Sequence, residues 1–118
     1  MYSGMCNALS PEKAVIWSVL HDLASVDLSA EHFTHPAYRV WFDAVRELRQ
    51  GNAKINAHTI HAVAHARGHG VRELDRRALQ RMLRIAPPAR IADNAQLLCQ
   101  ALVDRHLGKP VHIEKLIN

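Results

Sequence analysis

The chain has 118 residues, 48% of them hydrophobic and 22% charged, which excludes wholesale disorder and allows one domain around one core. Fifteen Lys and Arg against 11 Asp and Glu leave a net charge of +4, a modest basic excess. No apolar run approaches the roughly 18 to 20 residues of a bilayer span, and Met1 to Asn7 lack the charged and apolar regions of a signal peptide. The expectation is a soluble, cytoplasmic, single-domain protein.

Ser10-Pro11-Glu12 is a helix start: a capping hydroxyl, a proline at the first position and an acid against the helix dipole. Ile16, Leu20 and Leu23 follow at i, i+4 and i+7, with Val15 and Val19 beside them. Residues 1–9 before it are expected to be a flexible N-terminus. Asp27 to Ser29 breaks the pattern, and Ser29 to Phe33 reads as a short helical turn leading to Pro36.

A second helix opens at Pro36 and carries Trp41, Val45 and Leu48 on one stripe, flanked by Tyr38 and Phe42, with Gly51 expected to close it in a left-handed conformation. Asn56 is placed to cap a third helix bearing Ile60, Val63 and Ala64. That helix stops near Gly68 and Gly70, the expected flexible loop. Asp75 is placed to cap a fourth helix through Ile85, in which Leu74, Ala78, Leu79, Met82, Leu83 and Ile85 share one half of the wheel. A fifth helix runs from about Ala89 to Leu107, with Ile91, Ala95, Leu98 and Leu102 on its stripe. Residues 108–118 form a tail or one more short helix. No segment alternates as a strand would, so the fold class is all-α: a compact orthogonal or bundle-like domain of about five to six helices.

Several chemistries find no support. The one Gly-Lys, Gly108-Lys109, is followed by Pro110, so there is no phosphate loop, and no Cys-x-x-Cys, His-Glu-x-x-His or Gly-x-Ser-x-Gly occurs. Cys6 and Cys99 lie far apart and fit no metal spacing; both are expected to be reduced, Cys99 as a small core residue. The residues point to a non-enzyme without a cofactor.

The order of elements resembles the N-terminal domain of DnaB-type replicative helicases over residues 10–107. The segment SPEKAVIWSVL has that domain's acid followed by Ala-Val and a later Val-Leu pair. Residues 31–56, EHFTHPAYRVWFDAVRELRQGNAKIN, are similar to the family pattern at Phe33, Arg39, Phe42, Ala44, Leu48, Gly51 and Ile55, with Asn56 where Asp is usual. Thr59-Ile60 resembles the Thr-Leu that follows, and residues 86–103, APPARIADNAQLLCQALV, resemble the family's proline-containing lead into its last globular helix. The chain departs from the pattern before the fourth helix, where a Gly-Gly pair is usual, and in a shortened segment ahead of Phe33. It breaks at Gly108-Lys109-Pro110 where the family continues into a helical hairpin, a linker and an ATPase domain. The resemblance implies a non-catalytic module that binds a replicative helicase, a primase or a helicase loader and can form homo-oligomers. A phage or mobile-element factor recruiting or inhibiting the host helicase is the expected setting for a stand-alone copy.

Three groups of residues are candidates for function. Arg77, Arg81 and Arg84 cluster opposite the apolar stripe of the fourth helix, with Arg67, Arg72, Arg76 and Arg90 nearby. That face suits an acidic protein or, alternatively, nucleic acid, although no aromatic residues interleave to stack bases. Trp17, at the edge of the first apolar stripe, is a candidate interface anchor, whereas Trp41 falls on a core stripe. His58, His61 and His65 stand at i, i+3 and i+7; two could face one metal ion, but the expected reading is an exposed histidine-rich face with no metal. Asp22 and Asp104 have no evident partner.

Overall fold

The computed structural model describes residues 10–23 and 28–110, and its regular structure there is entirely helical. Helix α1 spans Pro11–Leu20, and Ser10 caps it by accepting the N–H of Lys13 at 3.1 Å, as its sequence predicts. One 3-10 turn, Ala30–His32, follows. Here the imidazole takes the part that Glu or Gln plays in a capping box: Nδ1 of His32 accepts the N–H of Ser29 at 2.9 Å. Helix α2 spans Pro36–Gln50 and α3 spans Ala57–Ala66. Asn56 and Thr59 cap α3 reciprocally, each side chain accepting the other's backbone N–H, at 2.9 and 3.0 Å. Helices α4 (Val71–Leu74), α5 (Arg76–Arg84), α6 (Ala89–Asp93) and α7 (Ala95–His106) complete the order.

Helix α2 is the centre of the fold. It packs against α1, α3, α4 and the 3-10 turn, while α7 lies along α1. Trp41 and Phe33 are fully buried. The ring of Phe33 stands 5.6 Å from Phe42 and 6.5 Å from Tyr38, and Tyr38 stands 5.2 Å from Trp41. These rings form one aromatic core of offset and edge-on pairs. Its aliphatic wall comes from Val15, Ile16, Ile60, Leu74, Leu79, Ile91 and Leu98.

Four expectations need correction. Gly51 has φ −92°, and the left-handed residue ending α2 is Asn52 at φ +54°. The N–H of Asn52 bonds Arg49 O and that of Ala53 bonds Leu48 O, the paired bonds of a Schellman motif, so the conformation falls one residue later than the glycine. The same pair of bonds ends α1 with Asp22 left-handed, α3 with Gly68 and α7 with Gly108. Asp75 precedes α5 but accepts no capping bond; it sits at φ +48°, turning the chain directly from α4 into α5, not in the extended backbone from which an N-cap carboxylate reaches back. Helix α4 itself lies between the expected loop at residues 68–70 and Asp75, a stretch to which the sequence pattern assigned no element. The fifth predicted helix is two, α6 and α7, divided at Asn94, whose side-chain amide donates to Arg90 O at 2.9 Å and competes with the backbone ladder. Ile85 is 52% exposed instead of joining the apolar half, because the chain is already extended there ahead of Pro87-Pro88. The expected N-terminal segment and tail, residues 1–9 and 111–118, lie outside the described residues.

Asp22 and Asp104, read as isolated, have partners: Asp22 approaches Arg49 at 3.8 Å, and Asp104 takes Lys109 at 3.9 Å and the Gln100 amide at 3.2 Å.

The indole N–H of Trp41 donates to the carbonyl of Leu74, the last residue of α4. Trp41→Phe keeps most of the ring's burial and removes that donor, leaving a helix-end carbonyl unpaired in the core. Urea unfolding should show a loss of about 1–3 kcal/mol, against about 3–5 kcal/mol for Trp41→Ala.

Cys99 is fully buried, and burial pushes its thiol up to about 12. In a Cys6→Ser background a thiol reagent should leave the native protein unmodified at pH 8 and label it once denatured. The proton is retained by the native state and released by the unfolded one. This group's stabilisation is therefore complete below pH 9 and declines as the pH rises toward 12.

Candidate interaction surface

Helix α5 is strongly two-faced. Leu79 and Met82 are buried, Ala78 and Leu83 are half-buried, and Arg77, Gln80, Arg81 and Arg84 are exposed. These last four line one shallow concavity. Arg77, Arg81 and Arg84 form no ion pair or hydrogen bond with the described residues, so three guanidinium groups stand on one face without an acidic partner among them. The neighbouring arginines divide. Arg67 is held by Glu47 at 2.7 Å, Arg72 and Arg90 are exposed, and Arg76 is half-buried with its Nε enclosed and unpartnered.

Trp17 comes to the same place. It projects from α1 to the C-terminal end of α5, where its indole N–H is shared between the carbonyls of Met82 at 3.0 Å and Ile85 at 2.8 Å. His21 Nε2 donates to the Met82 carbonyl as well, at 2.7 Å. The last carbonyls of a helix have no partner within it, and here α1 supplies them. The structure thus joins two candidates that the sequence keeps sixty residues apart: the arginine face ends where Trp17 closes the helix, with Ile85 exposed beside it.

The histidine face is less organised. His58 and His65 are exposed and His61 is half-buried. The rings of His61 and His65 lie parallel with centroids 6.3 Å apart, and Nδ1 of His61 is enclosed without a partner. Among the described residues no three His, Cys, Asp or Glu side chains gather where one metal ion could be held.

Sequence reasoning missed the residues that join helix ends across the fold. Glu12, read only as an acid in the first turn of its own helix, accepts the N–H of Thr34 at 2.8 Å, the N–H of His35 at 3.2 Å and the Thr34 hydroxyl at 2.6 Å. Its carboxylate therefore sits at the positive end of α2. Arg49 donates to Val19 O at the end of α1, and burial lowers its pKa while Asp22 acts against that shift. Leu20, His21, Asp22, Arg49, Asn52, Ala53 and Ile55 line a second open depression there. The sequence signals for Glu12 were its place in the first turn of its own helix and in the acid-Ala-Val pattern of the resemblance, and neither reaches across to α2.

The family model for the DnaB-like helicase N-terminal domain matches residues 5–100. The chain belongs to that family. Comparison with curated proteins and with solved structures gives no significant match. The DnaB N-terminal domain is a non-catalytic, all-helical part of the replication machinery, and the ATPase of these helicases lies in a separate C-terminal domain. Helicase-related interactions and oligomerisation belong to the family in general. Among the described residues no helix is long and apolar enough to cross a membrane.

Trp17→Phe in this DnaB-type domain removes the donor shared by two carbonyls and leaves the ring. It should lower stability by about 1–2 kcal/mol, read as a fall in melting temperature of roughly 4–8 °C per kcal/mol.

Proposed function

We propose that this chain is a non-catalytic protein-interaction module of DNA replication, binding a replicative helicase, a primase or a helicase loader. The observation that carries the reading is the family match, which covers residues 5–100 and falls on the part of the helicase that works by contact, not by chemistry. The exposed arginines of α5, unpaired within the described residues, support it, since arginine is enriched at protein interfaces. In this reading the module recruits or blocks a helicase, in the manner of a phage or mobile-element factor, and copies of it can associate as family members do. The same arginine face favours a second reading, direct binding of nucleic acid, in which affinity collapses as salt rises.

Affinity capture of the tagged protein from bacterial lysate, washed at about 0.15 M and then about 0.5 M salt, separates the two, because phosphate contacts weaken steeply over that range. A helicase, primase or loader retained at the higher salt is the expected result. Recovery of nucleic acid alone, released as the salt rises, would replace this reading with the second.

A further inference from the structure

We infer that the α5 face is the seat of an acidic protein helix, with Arg77, Arg81 and Arg84 each meeting a carboxylate of the partner. The inference rests on the reading above that the chain works by protein contact, and it specifies the chemistry of the partner at one surface. The three arginines stand at i, i+4 and i+7, so they form a row about 10.5 Å long on a helix rising 1.5 Å per residue. Acids at the same spacing on a helix laid alongside would meet all three, and guanidinium groups suit carboxylates because both are planar and can bond in pairs.

Among the described residues no acid forms an ion pair with Arg77, Arg81 or Arg84. Among the described residues Glu12 is occupied at the start of α2, Glu47 by Arg67, Asp22 by Arg49 and Asp104 by Lys109. An acid row on a partner protein would supply what these three arginines lack.

The surroundings favour protein over nucleic acid. At the Arg84 end Ile85 is 52% exposed, with Ala86 and Pro88 also exposed, giving an apolar margin to a charged row. No Phe, Tyr or Trp lies within α5 to stack a base, and Trp17 is half-buried with its N–H engaged.

The test is a fluorescence-anisotropy titration of the full chain with a synthetic helical peptide bearing Glu at i, i+4 and i+7 beside leucines. The controls are a peptide of the same composition with the glutamates out of register, and short single- and double-stranded DNA at the same salt. The in-register peptide should bind and the out-of-register peptide should bind more weakly. Arg77→Gln, Arg81→Gln and Arg84→Gln should each cost about threefold in affinity, and all three together about tenfold or more. Circular dichroism establishes that each variant is folded; the single variants carry the test if the triple one is not.

The inference is overturned if DNA binds more tightly than the in-register peptide, if register makes no difference, if the substitutions leave affinity unchanged, or if the peptide does not bind. None of these results touches the capture experiment. A helicase retained equally well by the triple variant would leave the proposed function standing and remove only this surface.

Discussion

The hydrogen bond from Trp41 to Leu74 represents the constraint on which this fold depends. The helices are short, from four to fifteen residues, so a large share of backbone groups lies at helix ends where the internal ladder supplies no partner. A buried carbonyl or N–H left in that state costs free energy comparable to a lost hydrogen bond. The solution is to close helix ends with side chains from other elements. Trp41 of α2 closes α4, Trp17 and His21 from α1 and its end close α5, Arg49 of α2 closes α1, and Glu12 of α1 holds the residues leading into α2. Each bond ties two elements together, so helix termination and tertiary packing are one event.

This arrangement explains which parts of the structure could be read from the sequence. Local signals were sufficient at Ser10, at Asn56, and along the apolar stripes of α1 and α2 apart from Leu23, which is exposed beyond the end of α1, because a cap or a stripe is a property of neighbouring residues. They failed where a distant side chain or a competing local bond decides. Asp75 looks like an N-cap, yet the chain turns from α4 into α5 through its left-handed backbone while Trp41 takes the preceding carbonyl. Asn94 looks like an ordinary helix residue, but its amide engages Arg90 O and splits the helix. Gly51 attracted the left-handed position by its freedom, whereas the hydrogen-bond pattern needed that conformation at Asn52.

The candidate surface was legible in its parts and not in its assembly. Periodicity alone placed Arg77, Arg81 and Arg84 opposite Leu79 and Met82. That they pair with no acid among the described residues, and that Trp17 closes the helix carrying them, depends on how α1 and α5 pack. Of the positions that carry the helicase-family resemblance, Phe33, Phe42, Ala44 and Leu48 are core positions, while Arg39 and Gly51 are exposed. Those buried positions maintain the fold, while the arginines exposed for contact lie on a different helix.

The two indoles also differ as optical probes. Trp41 is wholly enclosed among aromatic and aliphatic side chains, while Trp17 is half-buried at the margin of the arginine face. The chain contains no other tryptophan. Its intrinsic emission therefore combines a blue-shifted component that follows the integrity of the core with a redder, quencher-accessible one that follows the end of α5. An occupant of the arginine face would change the second component and leave the first in place, whereas unfolding would move both.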